Sequence, residues 1–218
     1  MMTYTTVIFD MDGTLLNTLE DLKDSLNFAL NQMGFPPRTI DEVRQFVGNG
    51  ARRLIERAVP AGTTKEDGDR CLDIYEKHYA TNMQNKTRPY DGIIDMLKEL
   101  KDRKYRLAIV SNKFDASVKA LCKEHYNDYI KVAIGESRHV ARKPAPDSVF
   151  TAMNELGSKA EETIYVGDSD VDVHTAHNAG LKCVGVTWGF RSREVLLNAG
   201  ADYIIDKPME LINILVNA

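Results

Sequence analysis

Cysteine is scarce in this chain, and its placement excludes two kinds of small fold. Only Cys71, Cys122 and Cys183 occur. They are odd in number and widely spaced, so neither a disulfide frame nor a zinc site is expected, and free thiols fit a reducing compartment. No apolar run approaches the roughly 20 residues that span a bilayer. The opening "MMTYTTVIFD" lacks the basic start and apolar stretch of a secretory signal. These missing signals lead us to expect a cytoplasmic protein with no membrane partner. Positive charge is not in excess either. The formal net charge is −4, which gives no hint of a nucleic-acid surface. Glycine-rich phosphate loops are missing as well: "GNGARR", the nearest approach to G-x-G-x-x-G, has Arg53 in the last position and no strand before it.

What is present is a change of pattern along 218 residues, enough for one core plus a smaller domain. Val7 to Asp10 reads as a buried strand, short, continuous and rich in β-branched and aromatic residues. From about Thr18 to Asn85 only helical stripes follow. Leu19, Leu22, Leu26, Ala29, Leu30 and Met33 share one face, with Thr18 placed to cap it. Thr39 and Glu42 form a capping-box pattern, and Leu72, Tyr75, Tyr79 and Met83 make another stripe. After Pro89, helical segments alternate with the strand-like runs "RLAIVSN", "IKVAIGE", "TIYVGD", "KCVGVTWG" and "DYIID". Such alternation predicts an α/β fold, a Rossmann-like parallel sheet sandwiched by helices, with a small all-helical insertion. The expected boundaries are 1–17 and 86–218 for the core and 18–85 for the insertion.

Sites in open parallel sheets form beyond the carboxyl ends of the strands. Three strands here end in polar residues: Asp10-x-Asp12, Ser111-Asn112, and Asp168 of "VGDSDVD". Carboxylates that close repel, and desolvation makes the repulsion worse, so positive charge should compensate. A hard divalent cation with oxygen ligands suits Asp10, Asp12, Asp168 and Asp172, Mg²⁺ above all if a phosphate must also bind. Lys143 in "ARKPAPD", in a loop between a strand and a helix that Pro144 and Pro146 pin, could complete the balance. A calcium loop does not fit "DSDVD", because Val173 and Ala179 occupy its glycine and glutamate positions.

"FDMDGTL", "VSNK", "KPAPD" and "VGDSDVD" have the order and spacing of the four motifs of the haloacid dehalogenase superfamily, which this chain resembles over essentially its whole length. The helical insertion after the first motif looks like that superfamily's small cap domain. "VGNGARRLIERA" and "VTWGF" with "GADYIID" further resemble its phosphoglycolate phosphatases. The resemblance implies a role for each matching position. Asp10 would be the nucleophile that forms an aspartyl-phosphate. Asp12 would protonate the leaving alcohol and then take a proton from water. Ser111 would bind the transferring phosphoryl group, with Asn112 beside it, and Lys143 would neutralise Asp10 and the phosphate. Mg²⁺ would sit on Asp10, the Asp12 carbonyl and Asp168. Asp172 would act behind them, through water on the ion or by orienting Lys143. Where many relatives read Asp-Ser this chain has Asn17-Thr18, at the hinge of the insertion.

The implied activity is Mg²⁺-dependent hydrolysis of a small phosphorylated metabolite, with 2-phosphoglycolate a candidate. A phosphomutase of the β-phosphoglucomutase type, a pyrophosphatase and a silent binding protein are the rivals; oligomeric state is left open. Several residues have plainer readings beside these. Asp168 and Asp172 could simply favour a helix N-terminus. Ser111 could be an N-cap, and Lys113 a substrate contact or a surface charge. Arg53 could clamp a substrate carboxylate, although Arg52 and Arg53 also fit a solvated face on which Arg52 pairs with Glu56. His174 and His177 lack a third ligand for a metal. Trp188 reads as packing, and Tyr75 and Tyr79 as the core of the insertion.

Overall fold

The structure is a computed structural model that describes residues 4–217. Contacts divide the chain into two compact units, residues 17–88 and the remainder, residues 1–16 with 89–218. The chain leaves the larger unit after strand β1 (Thr6–Phe9) and crosses in the two-residue strand β2 (Leu16–Asn17). Four helices follow: α1 (Leu19–Gln32), α2 (Ile40–Phe46), α3 (Gly50–Ala58) and α4 (Lys65–Asn82). It returns through β3 (Arg88–Pro89). From there helix and strand alternate: α5 (Ile93–Asp102), β4 (Arg106–Phe114), α6 (Asp115–Tyr126), β5 (Val132–Glu136), α7 (Asp147–Leu156) and β6 (Thr163–Gly167). The chain ends with α8 (Asp170–Asn178), β7 (Lys182–Val186), α9 (Arg193–Ala199), β8 (Tyr203–Ile205) and α10 (Glu210–Asn217).

The larger unit holds a six-stranded sheet in the order β5-β4-β1-β6-β7-β8, every pairing parallel. Parallel strands need crossovers, and here helices supply them, so this is the α/β Rossmann-like architecture that the alternating pattern predicts. Val7, Ile8 and Phe9 have no exposed surface, as a central strand covered on both faces requires. Ile8 packs in a cluster with Val110, Ile134, Val149, Tyr165 and Val173, so the core lies between the sheet and helices α7 and α8.

Strand order is what positions the site. Phe9 stands opposite Ile109 on one side and Val166 on the other. The chain beyond β1 therefore emerges between the ends of β4 and β6. Polar termini some hundred residues apart in sequence become neighbours on one sheet edge. The β4–β5 register also shifts between Val110 and Phe114, a bulge covering Ser111, Asn112 and Lys113.

The helical unit has its own core. Leu22, Leu26, Ala29 and Leu30 of α1 are buried, as are Leu54, Ile55 and Ala58 of α3 and Cys71, Leu72, Tyr75 and Tyr79 of α4. The two tyrosine rings stack with centroids 5.6 Å apart. Thr39 and Glu42 close the expected capping box on α2. Thr18 behaves differently from expectation. It occupies the N-cap position of α1 but makes no side-chain cap bond, because its backbone is already near-helical rather than extended. Asp21, one turn in, is buried and accepts from the backbone N–H groups of Lys86 and Thr87, tying the start of α1 to the returning segment. Arg52 pairs with Asp69 of α4, not with Glu56, which Arg53 engages at i+3.

Candidate active site

Asp10 lies one residue past β1, its backbone N–H donating to Val166 O at 2.9 Å. Its carboxylate accepts a 2.7 Å bond from Lys143 Nζ, across 133 residues of sequence. Lys143 Nζ also donates to Asp172 Oδ1 at 2.7 Å and to the Tyr165 hydroxyl at 3.1 Å. All four side chains are buried. Lys143 sits in the loop before α7, and Asn112 holds it there. The Asn112 amide accepts from Lys143 N at 2.8 Å and donates to Lys143 O at 3.2 Å. Both ends of Asn112, expected beside the substrate, are thus engaged by the lysine loop.

Asp172 serves two ends at once. One oxygen takes Lys143 and the Tyr165 hydroxyl; the other accepts from Ser169 N and Oγ in a capping box at the start of α8. Asp172 thus completes the capping box and contacts Lys143 at the same time. Asp168 is buried and accepts from Thr14 Oγ1 at 3.3 Å and from Phe190 N at 2.7 Å. Gly13 has φ +88°, and a Cβ there would lie 2.4 Å from Asp168 Oδ2, so the turn after Asp12 requires glycine on both counts.

Asp12 is half-buried and its Oδ2 lies 3.1 Å from Lys113 Nζ. Its Oδ1 is buried and has no hydrogen-bond partner among the described residues. Lys113 is correspondingly not a surface charge: its side chain is 6% exposed. Ser111 is buried, with Oγ accepting from Lys113 N at 3.3 Å. Arg53 lies on α3 of the helical unit, exposed and paired with Glu56 at 2.7 Å. His174 and His177 are exposed, and His177 contacts Asp202 at 3.1 Å.

Charge governs this site. Asp10, Asp168 and Asp172 each offer a carboxylate oxygen within 4.8 Å of the others, with one ammonium among them. Burial pushes the Asp10 carboxyl well above the usual carboxylate range; Lys143 pulls it back, while Asp172 and Asp168 add to the push. Asp168 is pushed up to about 7, by burial first and then by Asp172, against the Phe190 N–H. Burial alone would lower Lys143, but Asp10 and Asp172 hold its ammonium well above the usual lysine range. Lys143, with Arg191 acting on Asp168 as well, does not offset three carboxylates, so the cluster as built favours a further positive charge. An all-oxygen donor set with an orphaned acceptor nearby fits a hard divalent cation.

The model of the haloacid dehalogenase-like hydrolase family matches residues 7–186. The chain belongs to that family. It is 36% identical over 204 residues to a phosphoglycolate phosphatase of Mesorhizobium japonicum, covering 87% of this chain and 85% of the relative. A phosphoglycolate phosphatase of Aquifex aeolicus is 30% identical over 213 residues, covering 97% and 96%. A solved structure from Lactobacillus delbrueckii subsp. bulgaricus superposes with a TM-score of 0.93 at 33% identity, covering 98% of this chain and 99% of that one. The chain is accordingly an enzyme, phosphoglycolate phosphatase-like in sequence and in fold.

Sequence reasoning missed two of these contacts and left Lys113 between two readings. Tyr165 lies inside a continuous apolar strand, where nothing marks its hydroxyl as a partner of Lys143. Lys113, read as a substrate contact or a surface charge, pairs with Asp12 at 3.1 Å. Trp188, expected to pack, donates its Nε1–H to Thr14 O at 2.9 Å.

Proposed function

We propose that the protein hydrolyses the phosphate monoester of a small metabolite through an aspartyl-phosphate on Asp10, with 2-phosphoglycolate as the preferred substrate. The observation that carries this reading is the buried Lys143 ammonium 2.7 Å from Asp10. A carboxylate attacking a phosphate dianion brings two anions together, and a fixed cation beside the nucleophile reduces that cost. An Asp10 oxygen attacks phosphorus, and the bond to the leaving alcohol breaks as Asp12 gives that oxygen its proton. Asp12 then takes a proton from the water that attacks the aspartyl-phosphate, releasing phosphate and restoring Asp10. The covalent route divides one hard hydrolysis into two easier steps. Ser111 Oγ donates to the transferring group, and Asp172 with Tyr165 keeps Lys143 aimed at it.

Asp10, Asp168 and the backbone carbonyl of Asp12 would hold Mg²⁺, which when bound supplies positive charge against the phosphoryl oxygens. Residues 17–88 would serve as the cap that excludes water, in a cytoplasmic enzyme. On its α3, Arg53 would exchange Glu56 for the carboxylate of the substrate. Two of the most similar curated relatives are named for phosphoglycolate, which supports that substrate over a sugar phosphate or pyrophosphate.

Phosphate release from 2-phosphoglycolate, hexose phosphates, nucleotides and pyrophosphate, with and without Mg²⁺, tests the reading. We expect Mg²⁺-dependent release, fastest from 2-phosphoglycolate, and none from Asp10→Asn. Arg53→Gln should raise KM for 2-phosphoglycolate while leaving p-nitrophenyl phosphate, which has no carboxylate, unchanged. Absence of release from every phosphate monoester overturns the proposal.

A further inference from the structure

The segment from Trp188 to Phe190 follows β7 and belongs to none of the four motifs, yet it touches two of them. Phe190 N donates to Asp168 Oδ2 at 2.7 Å, and Trp188 Nε1 donates to Thr14 O at 2.9 Å. Thr14 in turn donates from Oγ1 to Asp168 Oδ1 at 3.3 Å. Between these contacts lies Gly189, where a Cβ would stand 2.3 Å from Asp168 Cβ and 2.4 Å from Gly13 O. The segment is thus pressed against the Asp168 side chain and the turn after Asp12 at the same time, with no room for a side chain between them.

We propose that Trp188–Phe190 is a positioning strap that fixes Asp168 and the Asp12–Thr14 turn in the geometry a divalent cation needs. The inference rests on the reading of Asp168 as a ligand of that ion. A carboxylate with two free rotamers would present its oxygens to the site only part of the time. The Phe190 N–H engages one oxygen strongly and leaves the other with only the longer Thr14 bond, so one oxygen is oriented and the other available. Trp188 does the matching work on the turn, whose backbone carries the Asp12 carbonyl proposed as a second ligand. Groups that orient metal ligands commonly contribute 10–100-fold in affinity, about the level of effect expected here.

Trp188 is also the only tryptophan in the chain, so the strap carries its own reporter. The test is calorimetric titration of Mg²⁺ into the intact wild-type protein, Trp188→Phe and Trp188→His, alongside emission from Trp188 in the wild type. Trp188→Phe should bind Mg²⁺ roughly tenfold more weakly. Its kcat at saturating Mg²⁺ should stay within about twofold of wild type, because positioning a ligand changes occupancy more than chemistry. Trp188→His, which keeps a ring N–H, should recover part of the affinity. Emission in the wild type should change on titration with the calorimetric midpoint. Equal Mg²⁺ affinity in wild type and Trp188→Phe overturns the strap alone. Should Trp188→Phe not fold, wild-type emission that ignores Mg²⁺ overturns it instead. A wild type that binds no Mg²⁺ overturns the ion reading and the strap with it.

Discussion

Lys143 is surrounded by groups that make sense only while it is there. Its ammonium satisfies Asp10, Asp172 and the Tyr165 hydroxyl, and all are buried. Replacing it with methionine fills the volume but leaves two carboxylates unpaired. Removing one partner of a buried ion pair typically costs about 3–5 kcal/mol, so Lys143→Met should lower stability on that scale in a denaturant titration and abolish turnover. Asp168 predicts the opposite sign. Its carboxyl is pushed to about 7 when folded and titrates near the ordinary carboxylate value when unfolded. Between those values the folded chain binds the extra proton, so the contribution of Asp168 to stability is lost as pH rises toward 7 and above. Asp168→Asn removes the buried charge and keeps an acceptor for Phe190. Without divalent cation, the variant should melt above wild type at pH 8, with the gap closing toward pH 5. Added Mg²⁺ should reverse the order at pH 8 by stabilising only the wild type. Thermal melts at the two pH values check both signs.

Single elements show which local rules the sequence exposes. The end of β1 is legible because Val7-Ile8-Phe9 stops abruptly at Asp10, and the capping box on α2 because a Thr three residues before a Glu is the pattern such a box needs. Thr39→Ala should accordingly cost about 1 kcal/mol of stability and leave activity alone. The turn after Asp12 is a different kind of element. Its glycine combines a left-handed backbone with contact against Asp168, so Gly13→Ala should reduce turnover far more than stability, seen by comparing kcat with the melting midpoint. What pattern could not expose is contact made by backbone and ring N–H groups. Asn112 grips the backbone of Lys143, and Trp188 reaches the carbonyl of Thr14. Such bonds depend on where loops pass one another, which no spacing of residue types encodes. Thr18 erred in the other direction: its type suits an N-cap, but the local backbone does not.

For the whole molecule, the decisive feature is the order of the strands. Periodicity supplies six strand-like runs and their parallel direction, but not that β1 lies between β4 and β6. That placement brings Asp10 beside the ends carrying Ser111 and Asp168, and the loop after β5 then delivers Lys143. The sheet converts four short motifs spread over most of the chain into one cluster with more negative than positive charge. A cluster so biased favours a further positive charge. In the function proposed for the protein, phosphorus is transferred to Asp10 before it reaches water. Asp12→Asn with p-nitrophenyl phosphate tests this most directly, because that leaving group departs without help while the second step still needs a base. After acid quench and proteolysis, mass spectrometry should find the peptide containing Asp10 heavier by one phosphoryl group. The same peptide should be unmodified when Asp10→Asn is added. An unmodified peptide in Asp12→Asn while p-nitrophenol is still released, or a phosphoryl group mapped to another residue, would mean that Asp10 is not the nucleophile.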